Sequence, residues 1–519
     1  MTTIPFSIKN LISDLENAPR FSTSLLIQLV NNSNITAEDL KPWADFDHPQ
    51  EDSYGRKLIY EGKNFELMVM SWVPGDFSAI HDHGSTSWGA VKVFGPAEHA
   101  VFEIKNNQII TLDRWDLKPL EVIGVNHKMI HQMGNPTEDQ SFLSLHVYGF
   151  ENEMGPARLF DLYRQKIQFV EGGVFFALPD SQILKEEDGP EPDFPTKIRY
   201  LIELGNRLKK MGKKDIDINS VLESPKNFKD LLNYLYKITD EKGHFTHSRA
   251  WSILIRDLKS WAGFCFHPGD RFDRYAEVYD KVIAEPCMNS FVFKNLEFIF
   301  DSTDISKVNL LSIGCGTGFT EQILLDKFKF SKDQIFGIDI SPAMVEVASK
   351  RIKVLQADIL EWEPDDQNWE FIYSGLNVFQ YLPFDQLDAA IAKTANLLKH
   401  GGTFFGDFIT PDHIRWYPNL IISGDGKVIS LRTPKLVEQG GMMFQESEII
   451  NIHILEGITE LHYAGKHKRY LPAMNRVRNL FEKHFGENVK LYDSVSMKLL
   501  PETADTCEST RYLVVAEKQ

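Results

Sequence analysis

In the stretch SAIHDHGSTSWGAVKVFG two histidines, His81 and His83, stand two apart. On a strand, residues i and i+2 share a face, so both imidazoles can reach one metal ion. Imidazole suits first-row metals. An HxH pair alone also fits two hydrogen-bonded or solvated histidines at a strand end. Further on, HKMIHQMGNPTEDQSFLSLHVYG adds His127, His131 and His146. Ser144, His146 and Tyr148 alternate by two and line one strand face with a hydroxyl, an imidazole and a phenol. Burying such a face costs free energy unless each group finds a partner. The three therefore form either a self-satisfied network or a catalytic relay.

A second constellation begins at KVNLLSIGCGTGFTEQILL. Gly314, Gly316 and Gly318 sit between an apolar strand and a helix. Their freedom at positive φ allows a tight turn and lets a ligand approach the backbone at the helix start. Asp339 ends a second strand, QIFGIDIS, about twenty residues on, where an acid can hydrogen-bond a ribose diol. Asp358 follows a third strand, VLQADILEW. Later, HYAGKHKRYLPAM gathers Lys466, His467, Lys468 and Arg469, and PDHIRWYP holds His413, Arg415, Trp416 and Tyr417. Such a basic cluster is a solvated surface by default. The sharper reading is an anion-binding pocket for a sulfinate or carboxylate.

The elements that must position these residues fall into three segments. Residues 1–185 carry short alternating runs, such as FELMVMSWV, HAVFEI and FLSLHVYGF, broken by Gly, Pro and Asn. That pattern predicts an antiparallel β domain, a barrel. The charged, Pro-rich KEEDGPEPDFP reads as a linker. Residues 186–270 space apolar residues by three and four, as in IRYLIELGNRLKKMG and SRAWSILIRDLKSW, which predicts helices. Residues 271–519 alternate strands with helices and imply a parallel sheet. The chain has 519 residues, enough for two or three domains, with 43% hydrophobic and 25% charged residues. No run is long and apolar enough to span a bilayer, and no signal peptide is visible. The net charge of −17 argues against non-specific nucleic-acid binding. The four cysteines, Cys265, Cys287, Cys315 and Cys507, form no CxxC pair, which speaks against disulfides and a cysteine zinc site. A reducing cytoplasm is the expected location.

Taken together, the N-terminal motifs resemble the cysteine dioxygenase family of cupin-fold thiol dioxygenases, over about residues 50–150. The resemblance implies that His81, His83 and His131 hold Fe(II). It implies that Ser144, His146 and Tyr148 form the family's triad, and that Arg56, in YGRKLIYEG, grips the substrate carboxylate in a bidentate pair. Three neutral imidazoles leave coordination positions open for a thiolate, an amine and dioxygen. Both oxygen atoms then end on sulfur as a sulfinic acid. Some members cross-link the Tyr to a Cys. No cysteine precedes Cys265, and Trp88-Gly89 stand where that Cys lies. Arg56 favours cysteine as the substrate. His99 and His127 match no family role and read as structural or solvated.

Residues 271–519 resemble the class I S-adenosylmethionine-dependent methyltransferases, with a Rossmann-like α/β fold. The resemblance implies that Gly314, Gly316 and Gly318 line the methionine and ribose. Asp339 would bind the ribose hydroxyls, Asp358 the adenine amine, and Ile340 and Ile359 would flank the adenine. Tyr275 or Tyr279 would lie near the sulfonium or simply pack. The family's acid before IGCGTG is here Ser312, which removes a charge from the methionyl amine. The expected protein is a two-enzyme fusion joined by a helical segment, taking a small thiol and dioxygen, then methylating a small molecule, with no nucleic acid or membrane partner. Two alternatives stand beside it: a different thiol, or a cupin that senses iron or thiol and regulates the methyltransferase.

Overall fold

A computed structural model of the chain describes residues 4–519 except 19, 85, 138, 152–154, 177–179, 213–224, 263–271, 274, 365–368 and 456–457. Cys265 and Arg271, where the third segment is expected to begin, lie outside the described residues. The chain divides into two units, residues 1–234 with 249–257, and residues 235–248 with 258–519.

The first unit is built on strands β1 (Gly55–Glu61), β2 (Phe65–Trp72), β3 (Trp88–Val93), β4 (Ala97–Lys105), β5 (Gln108–Leu117), β6 (Val122–Val125), β7 (Ile130–Gly134) and β8 (Phe142–Gly149). One sheet runs β1-β2-β8-β3-β6 and is antiparallel throughout. A second holds β5-β4-β7. The loop 77–82 threads past β7 through bridges at Phe77↔Gly134 and His81↔His131. Alternation along β2 and β8 divides their side chains between two faces. Leu67, Val69, Leu143, Leu145 and Val147 pack outward against Ile8, Leu11, Leu15, Leu26 and Val30. Those residues come from helices Phe6–Glu16 and Thr23–Asn32. The opposite face carries Trp72, Ser144 and His146, joined by hydrogen bonds. An all-β unit was expected. The helices are there because the apolar outer face of β2 and β8 needs a cover, and each fully buried Leu or Ile contributes about 1.5–3 kcal/mol.

The segment read as a linker is also structured. After β9 (Ala157–Asp161) and β10 (Lys166–Val170), Lys185–Asp188 forms β11 on β10, and Glu191–Pro192 forms β12, parallel to β5. An exposed edge strand protected by charges has the composition of a linker, which is why the two look alike in sequence. Asp193 then caps the helix Phe194–Lys210, its carboxylate accepting from Thr196 N at 3.1 Å, with Pro195 in the first turn. Helices Pro225–Ile238 and Ser248–Ala262 follow.

A buried ion network fastens these later residues to β4 and β5. Glu98, 1% exposed, accepts from Arg114 Nη2 at 2.9 Å and Arg199 Nη2 at 2.6 Å and forms an ion pair with Arg256 Nη2 at 2.7 Å. Arg199 also donates to Glu203 at 2.7 Å, and Glu203 accepts from Gln132 at 2.6 Å. Arg114 pairs with buried Asp257.

The second unit holds the seven-stranded sheet β15-β14-β13-β16-β17-β23-β22. Its strands are β13 (Leu310–Ile313), β14 (Ile335–Asp339), β15 (Lys353–Gln356), β16 (Trp369–Ser374), β17 (Leu398–Ile409), β22 (Val489–Asp493) and β23 (Arg511–Glu517). The first five are parallel, and β23 runs antiparallel to both β17 and β22, so β22 points the same way as the first five. Strand order reverses at β13, so a crevice opens at its C-terminal end, where α/β sheets bind ligands. Between β17 and β22 lies an antiparallel sheet of β18 (Leu420–Ile422), β19 (Val428–Gln439), β20 (Met442–Leu455) and β21 (Ile458–Tyr470). A helical run, 276–300, includes two π-helical stretches, Asp280–Ala284 and Met288–Val292. Such turns recur at functional sites. Among the described residues no helix is long and apolar enough to cross a membrane.

Candidate functional site

Strand β7, with His131, and the loop 77–83, with His81 and His83, bring three imidazoles together. The backbones of His81 and His131 exchange two hydrogen bonds, of 3.0 and 2.9 Å. His131 Nε2 lies 3.2 Å from His81 Nε2 and 3.2 Å from His83 Nε2. All three can hold one ion, their ligand atoms lying within 4.8 Å of one another. His81 Nδ1 is 2.8 Å from the Ala79 carbonyl. A carbonyl only accepts, so Nδ1 carries the proton and Nε2 keeps its lone pair. Burial holds the His81 imidazole down at about 4 and pushes His83 and His131 well below their ordinary range. Neutral imidazoles are the ligand form, so this donor set fits a divalent first-row metal.

Across the sheet, Ser144 Oγ is 2.7 Å from His146 Nε2, and His146 Nδ1 is 2.8 Å from the Tyr148 hydroxyl. Trp72 Nε1 donates to Ser144 Oγ at 2.8 Å. An indole can only donate, so the Ser144 hydrogen is not taken up by Trp72 and is available to His146 Nε2. His146 then offers Nδ1–H to the phenol oxygen, and the Tyr148 hydrogen is left for a ligand. Burial pushes that phenol well up, so it stays protonated. The rings of Tyr148 and His83 are 5.3 Å apart. Arg56 pairs with Met70, which pairs with Ser144, so all three share one sheet face. Arg56 acts electrostatically on His146 and Tyr148. Among the described residues it makes no ion pair or side-chain hydrogen bond, which leaves it able to receive a carboxylate. Gly89 lies opposite Tyr148, and a Cβ there would stand 3.1 Å from the ring and 2.6 Å from Val125.

His127 does not join this group. His99, read as structural or solvated, is 1% exposed, and its Nε2 lies 2.7 Å from His131 Nδ1. It thus fixes the ring orientation of the third ligand, as outer partners of metal-ligating histidines do. The signal for it was its place on β4, two residues before Val101, which pairs with His131. His99→Phe should lower iron retained after dialysis by about 10-fold or more, with the far-ultraviolet circular dichroism unchanged.

In the second unit Gly314, Gly316 and Gly318 have φ of 67°, 56° and 71°. A Cβ on Gly314 would stand 2.4 Å from Val378, whereas one on Gly316 would meet nothing nearer than 4.0 Å. The loop is therefore closed on one side and open on the other, as a cradle for a ligand must be. Asp339 Oδ2 accepts from Gly316 N at 2.8 Å, and Oδ1 from Ser341 N at 2.9 Å. Asp358 accepts from Leu360 N at 2.9 Å. Ile340 is 63% exposed beside Asp339, which suits an apolar wall. Ile359, expected with it, is instead packed among Leu311, Ile313 and Ile338, its side chain taken up by the core. Tyr279 borders both the glycine loop and a larger cavity of about 730 Å³. Tyr275 is buried, and Arg432 donates to its hydroxyl at 3.5 Å.

The basic cluster divides by strand alternation. Lys466 is exposed and pairs with Glu448, and Lys468 lies 3.7 Å over the Phe444 ring. Arg469 alone of them lines the large cavity, with His413, Trp416 and Tyr417. Arg415 is exposed and pairs with Asp412. His413 is bound to Thr510 Oγ1 at 2.9 Å. Burial, then Arg511 and Arg469, hold it down at about 2, so it is a poor proton acceptor. Burial pushes Tyr417 up, but Arg432 and Arg469 more than offset it, and its phenol stands below its ordinary value.

Residues 7–152 match the family model of cysteine dioxygenase type I, and residues 310–402 that of a methyltransferase domain. The chain thus carries a cysteine dioxygenase domain followed by a methyltransferase domain. Such domains use iron and S-adenosylmethionine, respectively. It is 32% identical over 139 residues to malonyl-[acyl-carrier protein] O-methyltransferase of Priestia megaterium, covering 26% of this chain and 47% of the relative. An uncharacterized methyltransferase of Bacillus mycoides is 30% identical over 148 residues, 27% of this chain and 67% of its own. Cysteine dioxygenase type 1 of Rattus norvegicus is 26% identical over 111 residues, 20% of this chain and 56% of its own. The chain spans about half the length of the curated relatives it matches first. A solved S-adenosylmethionine-dependent methyltransferase from Clostridium acetobutylicum covers 48% of this chain and 98% of its own, at 18% identity and a TM-score of 0.38.

Proposed function

We propose a bifunctional enzyme. Its N-terminal unit oxygenates a small thiol, most simply cysteine to cysteine sulfinate, and its C-terminal unit methylates the product, at the amine. The observation that carries the first step is the convergence of three imidazoles from β7 and the loop 77–83 beside a hydrogen-bonded Ser-His-Tyr chain on β8 and an arginine on β1 that makes no ion pair among the described residues. Fe(II) held by His81, His83 and His131 would supply thiol coordination and activation of dioxygen. Arg56 binds and orients the carboxylate. Tyr148, held by His146 and Ser144, donates its hydroxyl hydrogen to the bound substrate. In the C-terminal unit S-adenosylmethionine supplies an electrophilic methyl group. The glycine loop with Gly314, Gly316 and Gly318 holds its methionyl part. Asp339 takes the ribose hydroxyls, Asp358 the adenine amine, and Ile340 one adenine face. The amine of the sulfinate is its strongest nucleophile and must lose a proton before attack. Tyr417 is the group suited to take it.

Arg56→Ala should lose about 2–4 kcal/mol of transition-state stabilisation with cysteine. It should lose less with cysteamine, which has no carboxylate. Comparing kcat/KM for the two thiols checks this, and an equal loss would mean that Arg56 serves the fold or the iron. The methyl step is tested by supplying cysteine sulfinate and labelled S-adenosylmethionine anaerobically, where the first site cannot turn over. Label is expected in methylated cysteine sulfinate, and Asp339→Ala should suppress it. Label on cysteine alone would reverse the order of the steps, and label on neither would end the shared-pathway reading.

A further inference from the structure

The large cavity of the second unit holds arginines whose charge no carboxylate among the described residues neutralises. Arg432, 1% exposed, reaches it from β19, Arg469 from β21 and Arg511 from β23. Arg511 pairs with buried Asp407. Among the described residues Arg432 donates to Ser430 Oγ at 3.3 Å and to Tyr275 OH and the Val282 carbonyl at 3.5 Å, and it lies 5.3 Å over the Tyr417 ring. Arg469 donates to Tyr381 OH at 3.1 Å and faces the Tyr417 ring at 5.6 Å. Among the described residues neither Arg432 nor Arg469 meets a carboxylate. Of the acids on the rim, Asp493 is occupied by Ser496 and Ser509, and Glu508 is exposed. Buried guanidiniums are rarely left without a counter-charge, because desolvating one is costly.

We propose that this cavity is the methyl-acceptor site and that it takes a small acid with two anionic groups, gripped by Arg432 and Arg469. This rests on the methyltransferase reading of the same unit and names its substrate class. The planar forks of the two arginines suit carboxylate or sulfinate. Tyr279, shared with the glycine loop, sets the acceptor beside the methyl donor. The test is calorimetric titration of the full chain, with S-adenosylhomocysteine present, by L-cysteine sulfinate, L-aspartate and L-asparagine. Aspartate and asparagine have the same shape and differ by one charge. The acids should bind at least about tenfold tighter than asparagine. Arg432→Met and Arg469→Met should each remove that preference while S-adenosylhomocysteine still binds, and Arg432→Lys should restore part of it. Equal binding of aspartate and asparagine, or binding by no acid, overturns the proposal without recourse to a variant. Arginine-dependent binding of aspartate but not of cysteine sulfinate would leave this site standing and sink the consecutive-step function.

A different observation concerns the cofactor cleft. Ser312 replaces the acid expected before the glycine loop, yet its hydroxyl donates to Glu321 Oε1 at 2.6 Å. Glu321 is 1% exposed, borders the cleft with Gly314 and Gly316, and its Oε2 is buried without a partner. We infer that Glu321 has taken over the missing charge and receives the methionyl ammonium of S-adenosylmethionine. Burial pushes its carboxyl up to about 7, which an adjacent ammonium would reverse. Glu321→Gln should weaken S-adenosylmethionine binding at least about tenfold. It should not affect 5′-methylthioadenosine, which has no amino-acid part. Ser312→Asp in the Glu321→Gln background should restore affinity. Unchanged S-adenosylmethionine affinity in Glu321→Gln, or an equal loss for both ligands, would overturn the assignment.

Discussion

His131→Ala is expected to lose bound iron and thiol-dependent oxygen uptake together, by more than about 100-fold, while S-adenosylmethionine binding stays as it was. The bound comes from outer partners of metal ligands, whose loss alone costs about 10–100-fold, and a ligand must cost more. His131 is the centre of the triad, 3.2 Å from each of the other two Nε2 atoms. The two imidazoles that remain, His81 and His83, cannot close the same donor set. Metal analysis and an oxygen electrode check the first two readouts and calorimetry the third. Full oxygen uptake in this variant would overturn the ligand assignment.

Arg199→Met should destabilise the N-terminal unit by about 3–5 kcal/mol, because it strips a partner from two buried carboxylates at once. Arg164→Met is the matched control. Its ion pairs with Asp161 and Glu186 are exposed, so it should cost at most about 1 kcal/mol. Urea unfolding followed by fluorescence separates the two. The network also predicts the direction of acid sensitivity. Burial works to push Glu98 up, but Arg199, Arg114 and Arg256 hold it down at about 2, against an ordinary 4.5. A depressed carboxylate contributes stability above its unfolded value and loses it as pH falls through the folded one. The gap between Arg199→Met and the wild type should therefore narrow as pH falls from about 4.5 toward 2.

The motifs legible in the sequence are those whose members lie on one strand or one turn. Ser144, His146 and Tyr148 are spaced by the period of β8, and Gly314, Gly316 and Gly318 by a single loop, so local spacing suffices. His99 escaped because its partner, His131, comes from another strand, and only the β4–β7 register brings them together. Trp72 escaped for the same reason, since its contact with Ser144 depends on the β2–β8 pairing. Arg432 lies outside the basic run, and alternation along β21 turns Lys466 and Lys468 away from the cavity that Arg469 enters. Glu321 stood nine residues past Ser312, with nothing in the spacing to connect them. The helices before β1 were missed because the alternating strands, read alone, do not say what covers their outer face.

The ion network has a consequence for the order in which the protein is made. Glu98 and Arg114 leave the ribosome with the barrel strands, but Arg199, Arg256 and Asp257 emerge only afterwards. Until then the nascent barrel holds a carboxylate and a guanidinium whose burial is incomplete. A truncation placed after β12, where the composition invites one, would freeze the chain at that stage. The shortest stable fragment of the dioxygenase must instead run through Asp257, past residues 235–248 that belong to the other unit.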